Sequence, residues 1–167
     1  MRFIITCLVM LLIAGCDEPD SNKGFKDLLF AAELSGEYQW QVAVMDLDDD
    51  ELHLLTDFEL GVSNPSFSPD ASMIVFDAIP DGGNHFEIYT MKANGHQLTR
   101  LTYTDFPDYA TNFGFSPDGS KIVYTDLDIS GRYEDSEIYI MDAYGSNSTR
   151  ITEDDAHISW VQFNPLY

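Results

Sequence analysis

Phe67-Ser68-Pro69-Asp70 returns as Phe115-Ser116-Pro117-Asp118, and a shortened copy, Phe163-Asn164-Pro165, follows at the same 48-residue spacing. A phrase that recurs at a long, constant interval marks a repeat architecture. Other positions keep step with it. Leu28-Leu29-Phe30, Ile74-Val75-Phe76 and Ile122-Val123-Tyr124 form one apolar set, and Val44-Met45, Thr90-Met91 and Ile140-Met141 a second. Leu55-Thr56, Leu101-Thr102 and Ile151-Thr152 form a third, each branched residue lying ten positions after its methionine. The register is therefore fixed across the copies.

One copy, residues 65–102, supplies four short strands. Ser-Pro-Asp presets a turn after Phe67, because proline fixes its own backbone dihedral and aspartate can bond a nearby amide. Asp70 and Asp118 accordingly read as turn aspartates. Gly119 completes the turn in the later copy, whereas Ala71 stands there in the earlier one, at a cost if the position requires a positive φ. Residues 73–76 and 87–91 are strand-like and apolar on both faces, as in sheets covered on both sides. Pro80, Asp81, Gly82, Gly83 and Asn84 between them are turn material. Asn94-Gly95 predicts a type I′ hairpin; Tyr144-Gly145 takes its place in the last copy and Asp48-Asp49 in the first. Four-stranded antiparallel sheets repeating every roughly 40 to 50 residues predict an all-β fold of β-propeller blades around an axis.

The succession Phe115-Ser116-Pro117-Asp118-Gly119, Lys121-Ile122-Val123-Tyr124, Glu137-Ile138-Tyr139-Ile140-Met141-Asp142 and Arg150-Ile151-Thr152 resembles the WD40-like PD40 repeat of TolB-type propellers. The resemblance runs from about Leu28 to the C-terminus. It implies propeller blades but no single activity, since such blades serve in envelope proteins, peptidase propeller domains and lipoproteins. TolB itself joins an α/β domain to its propeller, so a relative of the repeat is expected here. Residues 28–56 hold strands two to four of a blade, 65–102 and 113–152 two whole blades, and 160–163 a lone first strand. That makes about three blades, half of a six-bladed propeller, whereas closed propellers have four to eight. Three arrangements stay open: a homodimer closing a six-bladed ring by exchange of the C-terminal strand, an open arc covered by another protein, and a truncated gene.

Residues 1–15 read as a sorting signal, with Arg2 ahead of an apolar stretch too short to span a bilayer. Leu12-Ile13-Ala14-Gly15-Cys16 resembles the lipobox of bacterial lipoproteins, which implies cleavage before Cys16 and its lipidation; an ordinary secretory signal is the alternative. Cys7 lies inside the signal, so the mature chain would keep one cysteine and no disulfide. Residues 16–27 read as the lipidated cysteine and a flexible acidic tether, and 28–167 as the propeller repeats. The expected location is the bacterial cell envelope, facing the periplasm, with membrane contact through the lipid anchor alone.

A formal charge of −21 argues against nucleic acid, which needs dense Lys and Arg, and leaves divalent metals and basic protein surfaces as partners. Asp126-Leu127-Asp128-Ile129-Ser130-Gly131, with Glu137 after it, has the spacing of a calcium loop, making Asp126, Asp128, Ser130 and Glu137 the candidate metal ligands. Strands flank the loop where an EF-hand has helices, and Glu137 aligns with Glu87 in the repeat, so a solvated interstrand loop is the alternative. Apart from calcium, no cofactor is expected. Gly-x-Ser-x-Gly is absent, and His53, His85, His96 and His157 lack metal-ligand spacing. Trp40, Trp160, Tyr103, Tyr109, Tyr133 and Tyr144 read as packing residues, with stacking on a sugar or peptide as the alternative. The expected function is noncatalytic binding or scaffolding of an envelope protein or peptide, through loops at one end of the blades or the central channel. The competing class is a propeller enzyme: a calcium-dependent hydrolase or lactonase, or the remnant of a peptidase.

Overall fold

The computed structural model describes residues 27–33, 40–48, 50–56, 61–80, 83–105, 109–128, 135–153, 158 and 160–164. These form eleven strands in three antiparallel sheets. The first sheet is β1 (Asp27–Glu33), β2 (Trp40–Asp46) and β3 (Leu52–Leu54), paired in that order. The second runs β4 (Val62–Phe67), β5 (Met73–Ala78), β6 (Glu87–Lys92) and β7 (Thr99–Arg100). The third repeats it with β8 (Tyr109–Phe115), β9 (Lys121–Asp128), β10 (Asp135–Asp142) and β11 (Thr149–Arg150). The sequence sets meet across the ladders: Leu28, Ile74 and Ile122 lie opposite Met45, Met91 and Met141. Each sheet is a blade, and the first has three strands among the described residues.

Why the last strand of a blade ends in a branched residue and threonine is visible in its hydrogen bonds. β7 and β11 have two residues each, and beyond them the chain keeps bonding to its neighbour by other means. The amides of Leu55, Leu101 and Ile151 donate to the carbonyls of Val42, Ile88 and Ile138, at 2.8 Å in all three blades. The hydroxyls of Thr56, Thr102 and Thr152 then accept from the amides of those same residues at 3.0, 2.8 and 2.9 Å. A side-chain oxygen thus satisfies a strand amide that would otherwise be orphaned.

The blades stack through both faces. Ile74, Phe76, Tyr89 and Met91 of the second enclose one core with Val42 of the first. Val75, Ile88 and Leu101 on its other face enclose a second core with Ile122, Tyr124 and Met141 of the third. Within each of the second and third blades a cross-strand aromatic pair stiffens the sheet, Phe76 on Tyr89 at 5.8 Å and Tyr124 on Tyr139 at 5.4 Å between centroids. The first strand carries a register shift at one place in both complete blades, between Ser63 and Ser66 and between Thr111 and Gly114. Pro65 falls inside that bulge, where its missing amide removes no ladder bond.

The Ser-Pro-Asp turn forms as the sequence predicts. Ser116 Oγ accepts from the Lys121 amide at 2.9 Å and donates to Asp118 at 2.6 Å, and Asp118 also accepts from the Ser120 amide at 3.0 Å. Ser68, Asp70, Ser72 and Met73 repeat these bonds. Gly119 has φ 71° and Ala71 φ 56°, so the alanine does occupy a left-handed position.

Two expectations are corrected. The Asn94-Gly95 hairpin is not type I′: neither Ala93 nor Asn94 has a positive φ, and the turn from Lys92 to Gly95 is closed by Gly95 at φ 83°. The reason lies in the neighbouring blade. A Cβ on Gly95 would come 2.9 Å from the Leu55 carbonyl oxygen, so inter-blade packing selects the glycine's position. Residues 160–163, expected as a lone first strand, form no strand within the single chain: they join no ladder among the described residues.

Candidate functional site

The three copies of the opening phrase converge. A cavity of about 620 Å³ is lined by Ser66, Phe67 and Pro69 from the first copy, by Phe113, Gly114, Phe115 and Pro117 from the second, and by Trp160, Val161, Gln162 and Phe163 from the third. β4 and β8, the first strands of the two complete blades, are edges of their sheets and bring their phrases to this groove. The residue before each repeated phenylalanine is Ser66, Gly114 or Gln162. At Gly114 an added Cβ would meet nothing within 4 Å, so the middle of the wall is open. Phe67 and Phe115 are anchored behind it in the two inter-blade cores, while Trp160 is 64% exposed. The groove therefore offers aromatic faces, small polar groups and the rims of two sheets, an arrangement suited to an extended chain.

A second constellation lies where the fourth strand meets the third. Glu87, wholly buried, accepts from Arg100 Nη2 at 2.7 Å, from the Thr104 amide at 2.7 Å and from Thr104 Oγ1 at 3.0 Å, and Thr102 Oγ1 donates to its other oxygen. His85 Nε2 stands 3.2 Å from the same carboxylate. In the third blade Glu137 repeats the pairing with Arg150 and Thr152. In the first, Gln41 and Leu54 stand at the positions of Glu87 and Arg100, so the pair is absent there. The histidine spacing does not mark His85, which lies two residues before Glu87 and whose Nε2 is also 3.1 Å from the Thr104 carbonyl oxygen.

The candidate calcium residues divide. Asp126 and Glu137 are opposite each other on β9 and β10, and the Glu137 carboxylate is engaged by Arg150 and Thr152. Asp128 is placed by its backbone at the end of β9, opposite Asp135. Ser130 lies outside the described residues, as does Cys16 with the whole of 1–26. Among the described residues no three His, Cys, Asp or Glu side chains gather as a metal site, and no helix is long and apolar enough to cross a membrane.

Of the aromatics, Tyr103 and Tyr144 are exposed rather than packed, with the Arg100 guanidinium 4.4 Å from the Tyr103 ring centre. Trp40 is partly exposed on the first blade. Tyr133 lies outside the described residues. Two acids show opposite electrostatics. Burial pushes Asp77 above the ordinary carboxylate value, against the hydrogen bonds from Asn64 and from Thr111 of the next blade, each 3.1 Å long. The Ser116 hydroxyl, with the Ser120 amide and hydroxyl, holds Asp118 down at about 2.

The same arrangement of blades occurs in solved structures. A protein described as TolB of Agrobacterium tumefaciens is 23% identical over 75% of this chain and 44% of its own, with a TM-score of 0.62. TolB of Acinetobacter baumannii is 27% identical over 77% of this chain and 30% of its own, with a TM-score of 0.58. Oligogalacturonate lyase of Vibrio parahaemolyticus, 18% identical over 66% of this chain and 30% of its own at a TM-score of 0.53, shares the fold alone. This chain thus spans less than half the length of the two TolB structures. A comparison with curated proteins finds no match. The TolB β-propeller domain family matches residues 36–165, most of the chain, with the second and third blades whole and β2 and β3 of the first, and the protein belongs to that family.

Proposed function

We propose that this protein is a noncatalytic binding module of the bacterial cell envelope, tethered by a lipid on Cys16, whose groove takes an extended, basic peptide segment of another envelope protein. The observation that carries the reading is the convergence of Phe67, Phe115, Trp160 and Phe163 with Ser66 and Gln162 on one open groove. These groups stack and hydrogen-bond; none of them is a ready acid, base or nucleophile. The edges of β4 and β8 supply backbone groups to a strand-like guest, and a charge of −21 draws cationic segments toward the protein. The envelope location rests on the lipobox-like segment ending at Cys16.

Titrating extended Lys-rich peptides against Trp160 fluorescence tests the binding. Gly114→Leu is the discriminating variant, because its side chain enters open space and fills the groove without displacing an atom near its Cβ. Binding should weaken about tenfold or more in that variant; affinity equal to the parent's would place the site elsewhere. Cys16→Ser should release the protein from membranes into the soluble fraction, and continued membrane retention would contradict the anchor.

A further inference from the structure

Stacking uses the two faces of every blade in one order. The face bearing Ile74, Phe76 and Met91 packs against the preceding blade, as does the face bearing Ile122, Tyr124 and Met141. In the first blade the same register puts Leu28, Phe30 and Met45 on that face. Ile74 and Ile122 are fully buried, yet Leu28 is 52% exposed, with Leu52 and Leu54 on the same face at 37% and 45%. The opposite end shows the reverse side of the same contact: Leu101 in the second blade is 8% exposed, and its third-blade counterpart Ile151 is 56% exposed.

Strand pairing supplies an independent observation. β5 and β9 each pair with a first strand, Phe67 opposite Ile74 and Phe115 opposite Ile122. Their counterpart β1 is an edge of its sheet, and the third copy of the phrase, at Gln162 and Phe163, joins no ladder among the described residues.

We propose that a second copy of this chain covers both ends and closes a six-bladed ring. The Leu28 face of one chain packs on the third blade of its partner, and the partner's 160–163 segment pairs with β1, placing Phe163 opposite Leu28 and Gln162 opposite Leu29. A twofold axis makes the two junctions identical, so the assembly closes and leaves neither blade face open to propagate. Each junction repeats chemistry that the chain already buries twice within itself.

Light scattering of the full chain after size exclusion, corrected for bound detergent, reads the outcome. The expected mass is twice that of a single chain, the dimer rising in occupancy with salt because two strongly acidic chains repel. Leu28→Asp should give a monomer with unchanged circular dichroism. If that variant does not fold, the pair Leu28→Cys and Phe163→Cys, with Cys7 and Cys16 changed to serine, keeps the test open: a short thiol crosslinker should join two chains through these positions. A monomer of the parent chain at every salt concentration, a series of open oligomers larger than two, or crosslinking only within single chains would overturn the proposal.

Discussion

Glu87 and Glu137 occupy one register position in two adjacent blades, pair with the same Arg and Thr, and live in different surroundings. Glu87 is fully buried, and Thr104 and His85 also contact it; Glu137 is 16% exposed and its arginine 42% exposed. The repeat sets the Arg and Thr contacts within a blade, while the residues that cover them, His85 and Thr104 at Glu87, set how much the pair matters. A buried ion pair that loses one partner leaves an uncompensated charge in a poor solvent, whereas a wet pair loses little.

The largest effect is expected at that carboxylate. Glu87→Ala should cost about 3–5 kcal/mol in chemical denaturation, and Glu137→Ala about 1 kcal/mol or less; equal losses would mean that burial is not what distinguishes them. Leu101 and Ile151 sharpen the point with apolar side chains. In the monomer, Leu101→Ala should cost about 2–4 kcal/mol, because it leaves a cavity between the second and third blades. Ile151→Ala should cost under about 1 kcal/mol, and a larger loss would show that the outer face is already covered.

Smaller effects separate the two Ser-Pro-Asp turns. Ala71→Gly should stabilise by about 1 kcal/mol and Gly119→Ala should destabilise by a similar amount, since both positions are left-handed. A Cβ on Gly119 finds its nearest neighbour, Pro69, at an ordinary 3.7 Å, so the cost there is conformational. Opposite signs in thermal melts of the two variants would confirm the account; a destabilised Ala71→Gly would contradict it.

The pH dependence runs in opposite directions at Asp118 and Asp77. Asp118 is held at about 2 in the fold against 3.8 unfolded. Its contribution is therefore complete above pH 3.8 and disappears as the pH falls toward 2. Asp142, held at about 2 chiefly by Lys121, behaves alike. Asp77 is raised by burial, so its ionisation opposes folding once the pH passes 3.8. Asp77→Asn should melt higher than the parent at pH 7 and lose that advantage below pH 3.8, whereas a variant that melts lower at both pH values would show that the charge itself is required.

Much of this architecture was legible in the chain because the repeat is written in register. The Phe-Ser-Pro-Asp phrase, the methionine positions and the branched residue before threonine all kept their places on turn, third strand and fourth strand. Less legible was anything decided between blades. Asn94-Gly95 carries a strong local signal for a type I′ turn, yet contact with Leu55 selects a turn with one left-handed residue. The Asp77 to Thr111 bond joins residues 34 apart with no shared motif. The central channel was an expected place for binding, but only the packed blades show that Trp160 and Gln162 stand with Phe67 and Phe115 around one groove. Linear spacing records what a strand repeats and says little about what the next blade brings to it.

Backbone and aromatic chemical-shift mapping of the full chain, during titration with an extended basic peptide, reads where the guest lies. Perturbations should concentrate at Ser66, Phe67, Gly114, Phe115, Trp160 and Gln162, in all three copies of the phrase together. Perturbations confined to the outer hairpins around Asn94 and Tyr144, with the groove unchanged, would contradict it.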